Sequence, residues 1–175
     1  MRVPFIMSLP GRIPAERVCT DIFASIDLLP TIAALCGASL PEAKIDGLDV
    51  SALCLGEAEP DKRETFFYYR QNNLEAARHG DWKLHVRKGG EKVRLLYNLA
   101  DDISETHDLY ADNPDIVARL EKLMQECRAE LGDEAEGIQG AAIRPIGRVA
   151  NAKPLTEYDE NHPYIFAMYD KPEAG

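Results

Sequence analysis

The sequence predicts an α+β fold: a four-stranded antiparallel sheet packed by one C-terminal helix, preceded by a strand and helix that belong to a larger α/β layer. Three observations carry this. Four short strand-like runs joined by tight turns occupy Thr65 to Leu99, and an apolar stripe marks an otherwise charged helix beyond Pro114. The opening run, Val3-Pro4-Phe5-Ile6-Met7, is apolar on consecutive positions, the pattern of a strand covered on both faces.

The sheet is the most legible part. Phe66-Phe67-Tyr68-Tyr69 is a run of aromatic strand formers, and Leu74-Glu75-Ala76-Ala77-Arg78 is a second run. His79-Gly80-Asp81 supplies a turn whose glycine takes positive φ at no steric cost. Trp82, Leu84 and Val86 alternate with Lys83 and His85, the period-two signature of a half-buried strand. Lys88-Gly89-Gly90-Glu91 turns the chain again before the last run, Val93 to Leu99. The expected product is an antiparallel meander, wet on one face and apolar on the other.

The apolar face needs a cover, and the next helix provides it. Asp101-Asp102-Ile103-Ser104-Glu105 reads as a turn cluster; Asn113 or Asp112 then caps a helix with Pro114 just inside its start and Asp115 in its first turn. Ile116, Leu120, Leu123, Cys127 and Leu131 recur at steps of three and four, and Gly132 ends the helix. Burying each of those side chains is worth roughly 1.5–3 kcal/mol before entropy is counted.

Before the sheet, Ser25 to Pro30 opens another helix, with Ser25 as the expected cap and Asp27 in the first turn. Leu28, Ile32 and Leu35 share a face, and Gly37 is a left-handed stop. Leu48, Val50, Leu53 and Leu55 are expected to pin the following Pro-, Gly- and acid-rich loop to the core as a short helical turn. The opening run has two readings: an edge strand that tolerates Pro4, or the start of the chain in the middle of a larger fold, which is the reading favoured here. A domain boundary is expected near Glu57–Asp61, giving units of residues 1–60 and 61–135. Residues 136–175 are expected to form an irregular tail anchored by Tyr158, Tyr164, Phe166 and Tyr169.

The totals exclude several classes. The chain has 175 residues, 45% of them hydrophobic, so it can build a core. Thirty acidic against twenty basic residues leave a net charge of −10, which argues against a nucleic-acid partner needing a basic stripe. No run approaches the roughly 18 apolar residues of a spanning helix. Met1 to Leu9 imitates a signal peptide but is too short, is broken by Pro4 and lacks a cleavage site. Cys19, Cys36, Cys54 and Cys127 form no C-x-x-C pair; buried small hydrophobes are favoured over two disulfides.

Chemistry is sparse. Asp101-Asp102 offers two carboxylates without further oxygen ligands at a recognisable spacing, so a solvated turn is favoured over a metal site. His79, His85, His107 and His162 form no metal-binding pattern, and no Ser or Cys sits in an activating motif.

Five segments nevertheless match one pattern in order. Arg2-Val3-Pro4-Phe5-Ile6 ending in Pro10-Gly11 is similar to the R-V-P-x-I-x-x-x-P-G strand of the sulfatase family. Ser25 to Ile32 resembles that family's S-x-D-L-L-P-T-L helix, and Asp46-Gly47-Leu48-Asp49-Val50-Ser51 its D-G-x-D-x-S loop. Ala77 to Leu84 resembles A-V-R-x-G-x-W-K, and Leu96-Tyr97-Asn98-Leu99 with Asp102 and Glu105 resembles L-Y-D-L-x-x-D-P-x-E. Each is weak alone; five in order across residues 2–108 make a strong resemblance, nearest the arylsulfatase A-type branch.

The resemblance implies a large α/β domain of alkaline-phosphatase type followed by a small domain of four antiparallel strands and a helix. It also implies hydrolysis of sulfate esters by a formylglycine made within C/S-x-P-S/A-R, beside a calcium ion. This sequence departs there: no cysteine sits in that motif, and Ser39-Leu40-Pro41 continues Glu42-Ala43 with no Arg. The family's metal ligands and catalytic Lys and His lie upstream of the R-V-P strand, so the expectation is a C-terminal portion with the catalytic half absent and inactive alone. Calcium and formylglycine are then expected only in the full-length enzyme, with a sulfate ester as its substrate and self-association through the exposed first strand as a further expectation. Family members are commonly exported; the compartment of this chain is not legible.

What this portion would contribute is a wall of the substrate pocket. Arg70, Gln71, Asn72 and Asn73 form the polar turn between strands one and two and are candidate substrate-binding residues, a solvated hairpin tip being the alternative. Other readings of the whole chain are a portion of a related phosphodiesterase or phosphonate hydrolase, or a stand-alone non-catalytic binding or subunit module.

Overall fold

The computed structural model describes residues 3–57, 62–144 and 150. The chain divides into a compact unit, Met1–Ile143, and a second, Arg144–Gly175, of which residues 144 and 150 alone are described. Tyr158, Tyr164, Phe166 and Tyr169, and most of the expected boundary at 57–61, lie outside the described residues.

The first unit runs α1 (Leu28–Cys36), α2 (Ser51–Leu55), β1 (Thr65–Arg70), β2 (Asn73–His79), β3 (Trp82–Lys88), β4 (Glu91–Asn98) and α3 (Pro114–Leu131). The four strands form one antiparallel sheet in sequence order, β1-β2-β3-β4. Its turns are those the glycines demand: Gly80 at φ 58° opens the β2–β3 turn, and Gly89 and Gly90, both left-handed, make the β3–β4 turn.

Register sorts the side chains. Phe67, Ala77, Leu84 and Leu96 stand opposite one another across the sheet. With Leu74 they face Val117, Leu120, Met124 and Cys127 of α3, which packs mainly on β2 and β3. The helix thus covers the sheet as expected, but through a stripe rotated from the predicted one. Val117 and Met124 are buried, Ile116 and Leu123 flank them half-buried, and Leu131 is 43% exposed. Eighteen residues outrun the seven-residue strands beneath, so the last turn has little to cover. Pro114 starts the helix, yet Asn113 does not cap it; its side-chain amide donates to the Leu109 carbonyl at 3.1 Å.

The opposite face is not wet at its centre, which corrects the expectation. Ala76, Lys83, His85 and Tyr97 are buried there, because the loop at residues 100–108 lays Glu105 between Lys83 and His85.

Residues 3–9 have no regular secondary structure, and no strand pairs with them among the described residues. Val3 and Ile6 are 76% and 92% exposed, and Phe5 stacks on Phe23 with centroids 4.7 Å apart. The expected strand is therefore not formed: an apolar run pairs only where a neighbouring edge is on offer. The cysteines also depart from expectation. All four are free thiols, and Cys127 is buried while Cys19 and Cys36 are exposed.

Candidate functional site

Three motifs that look independent in the sequence are one construction. Asp27 does what Ser25 was expected to do: its carboxylate accepts the Ala24 amide at 3.0 Å, closing the turn before α1. The same carboxylate accepts the Leu48 amide at 2.8 Å and both Nε and Nη2 of Arg63, at 3.0 and 2.5 Å. Arg63 Nη2 also donates to the Asp46 carbonyl, and Thr31 Oγ1 accepts the Val50 amide. At Gly47 the loop crosses the turn before α1 closely, since a Cβ there would stand 2.0 Å from the Ile26 carbonyl oxygen. Burial pushes the Asp27 carboxyl up, but Arg63 and the two amides outweigh it and hold it below its ordinary range. Asp27 is fully buried and the Arg63 side chain 14% exposed, and the pair acts as a clamp between these segments.

The second polar centre lies on the sheet face away from α3. Lys83 Nζ meets Glu105 Oε1 at 2.5 Å and stands 4.5 Å over the Tyr68 ring. His85 Nε2 meets Glu105 Oε2 at 3.0 Å, with Tyr97 edge-on to its ring. Glu105 holds its place with φ at 55°, a left-handed conformation that costs a non-glycine residue energy. Burial pushes His85 down from its ordinary value, with the Lys83 charge adding to it and Glu105 only partly opposing. Burial raises Glu105, but Lys83 and His85 together hold it low. Each Glu105 oxygen is taken by a protein donor, so the trio locks the loop onto the sheet. Asp102 completes the loop by accepting the Thr106 and His107 amides at 2.7 Å each. The Asp101-Asp102 pair is thus a hydrogen-bonded turn, and no cluster of three or more His, Cys, Asp or Glu that could hold a metal occurs among the described residues.

The third centre is the β1–β2 turn, which brings Arg70, Gln71, Asn72 and Asn73 together. Arg70 and Asn73 are the last cross-strand pair, Gln71 and Asn72 the turn itself. Gln71 sits at φ 56°, where a residue other than glycine is strained. Arg70 lies against the glycine turn of β3–β4, its Nη1 being 3.6 Å from where a Gly90 Cβ would stand. Asn72 is committed: its carbonyl accepts the Glu134 amide at 3.0 Å and its side chain donates to the Glu134 carboxylate. Asn73 is the opposite case. Its Oδ1 is buried without a hydrogen-bond partner, the one such side-chain atom among the described residues. Of the three centres this one alone presents unspent hydrogen-bonding groups.

Composition and spacing missed Asp27 and Lys83 as buried charges. Glu105 stood as the end of a turn cluster and the last letter of a motif, and nothing in the sequence marks Asn73 as unsatisfied.

The family model described as N-sulphoglucosamine sulphohydrolase, C-terminal, matches residues 1–130. The chain belongs to that family, the C-terminal portion of the sulfatases. It is 30% identical over 170 residues to arylsulfatase G of Rattus norvegicus, covering 82% of this chain and 32% of the relative. To arylsulfatase A of Homo sapiens it is 31% identical over 159 residues, covering 75% and 31%. Among solved structures, Ps i-CgsB in complex with k-i-k-neocarrahexaose superposes with a TM-score of 0.54 at 28% identity, over 67% of this chain and 27% of that one. The chain therefore spans about a third of the length of the relatives it matches. No helix among the described residues is long and apolar enough to cross a membrane.

Proposed function

We propose that this chain is the supporting and substrate-facing lobe of a sulfuric ester hydrolase, inactive alone, whose reacting groups lie in the part of its relatives that it does not span. The match of the C-terminal family model across residues 1–130 carries this reading. Calcium and formylglycine do not fit the residues present: no C/S-x-P-S/A-R segment occurs in the sequence, and the described residues hold no acidic cluster of the required size. In the proposed enzyme both groups belong to the unspanned part, and this chain's role is to shape the pocket.

The turn at residues 70–73 is the proposed point of contact with substrate. Strain at Gln71 and the orphaned Asn73 oxygen support it, because both are costs that a bound hydroxyl or amide donor would offset. Arg70 suits an anionic substituent, since a guanidinium meets an oxyanion through two parallel hydrogen bonds. Asn72, tied to Glu134, holds the turn in place.

Two measurements test the reading. The purified chain, supplied with calcium and an aryl sulfate, is expected to show no turnover above a buffer blank; turnover would overturn inactivity alone. In an amide NMR titration with a sulfated disaccharide, shifts are expected at Arg70, Gln71 and Asn73 and are expected to vanish in Arg70→Ala. Shifts confined to other residues would remove the turn from the site.

A further inference from the structure

A bulge in β4 decides which residue stands beside Arg87. Up to His85 the register is regular, with Leu84 opposite Leu96 in the core, so Lys83 and His85 share the face away from α3. Two residues beyond His85, Arg87 keeps that face, because Val86 between them packs toward the core. The register slips there by one residue of β4, because two steps from His85 to Arg87 match three from Leu95 to Lys92, and Arg87 stands opposite Lys92. An unbroken pairing would set Val93 there; the bulge puts a second cation beside Arg87.

Two like charges directly opposite across a ladder repel each other, and Arg87 is only 7% exposed. The chain places its own anion between them. Arg87 Nη2 donates to Glu136 Oε1, and Lys92 Nζ lies 3.3 Å from the same oxygen. Arg94, at the bulge, has no hydrogen-bond or ion-pair partner among the described residues. These side chains, with Arg128 and Tyr110, line an open cleft of about 410 Å³ between β4 and α3, in the size range of small-ligand sites. Four cationic side chains face two carboxylates there, on a chain of net charge −10. Arg128 is spent on the buried Asp133, 2.8 Å away, and Arg87 and Lys92 share Glu136, which leaves Arg94 uncommitted.

We propose that this cleft is an oxyanion site, in which a sulfate group is held by Lys92 and Arg94 beside the Glu136 carboxylate that already occupies Arg87. The carboxylate demonstrates the fit: two cations converge on one anionic oxygen, and the neighbouring guanidinium is free for a second anion. Tyr110 supplies an aromatic wall for a carrier of that group. A free sulfate ion and a sulfate ester on a saccharide share this chemistry. None of residues 70–73 lines the cleft, so the inference stands independently of the proposed substrate turn.

The test titrates the 175-residue chain at constant ionic strength with sodium sulfate, a sulfated disaccharide and its unsulfated counterpart, reading binding by calorimetry and backbone amide shifts. Saturable binding is expected for one or both sulfated probes and not for the unsulfated one, with shifts at residues 87–94. Lys92→Ala with Arg94→Ala, both exposed, is expected to weaken binding on the order of tenfold; Arg119→Ala, exposed on α3 outside the cleft, is expected to leave it unchanged. Glu136→Gln is expected to tighten binding several-fold by releasing Arg87 and Lys92. Binding by sodium sulfate alone identifies a free-ion site, and tighter binding of the sulfated disaccharide an ester site. Absence of saturable binding, or a Lys92→Ala, Arg94→Ala chain that binds like the parent, overturns the proposal.

Discussion

Residues 3–57 and residues 62–142 use similar amounts of apolar sequence in contrary ways. The second region closes on itself: Leu74, Leu84, Leu96, Leu120 and Met124 are each fully buried between sheet and helix. The first keeps its large apolar groups outside, with Val3, Ile6 and Val18 each more than three-quarters exposed and Leu29 and Ile32 half exposed on α1. Its order comes from polar ties, Asp27 to Arg63 above all, with Arg12 and Arg17 donating to the carbonyls of Leu35 and Leu53 where α1 and α2 end. The difference teaches that hydrophobic content does not measure self-sufficiency. What counts is whether the chain also supplies the surface that covers it.

The largest expected effect that probes this contrast is at the clamp. Asp27→Asn leaves the Arg63 guanidinium half-paired in a buried site and is expected to cost about 3–5 kcal/mol. Hydrogen exchange should show the loss confined to residues 24–57, with β1–β4 keeping their protection; uniform loss would mean that the two regions are one cooperative unit. Leu120→Ala, in the closed core, is expected to cost about 2–5 kcal/mol by urea denaturation and to loosen the sheet and α3 together.

Acid should act next, through the second sheet face. His85 titrates below its ordinary 6.5 in the folded chain, so the unfolded chain takes up that proton first. Stability is therefore complete above about pH 6.5 and declines as pH falls toward the folded value. Glu105, held below its ordinary 4.5, adds a second decline beneath that pH. Thermal melts across pH 4–8 should show both limbs in the parent, and His85→Gln should abolish the upper one; an unchanged upper limb would assign it to another group. The smallest effect is expected at the exposed apolar positions. Ile6→Ser and Val18→Ser should each change stability by no more than about 0.5 kcal/mol, because neither side chain touches a core that the substitution could empty.

Local patterns reached most of the second region. Period-two alternation in β3 and the glycine turns around it need only neighbours in sequence, and the structure keeps each of them. The helix was legible but its face was off by one position, since Val117 and Met124 compete with Ile116 and Leu123 for the same side and only the sheet beneath chooses. Lys83 was read as wetted for a related reason: alternation says which face a residue takes, not what will be folded over that face. The substrate turn was legible as a polar tip, whereas the orphaned oxygen of Asn73 and the strain at Gln71 are properties of coordinates.

Taken by itself, the chain determined its strands, its turns and its membership of the sulfatase C-terminal family, because each is written in adjacent residues or in the order of short motifs. Tertiary structure alone decided that Asp27 binds Arg63 across thirty-six positions, that Glu105 seals a second face, and that a bulge in β4 sets Lys92 opposite Arg87. Those outcomes depend on which distant groups arrive within hydrogen-bonding reach, and a charge is stable in the interior only beside a partner that no local pattern names.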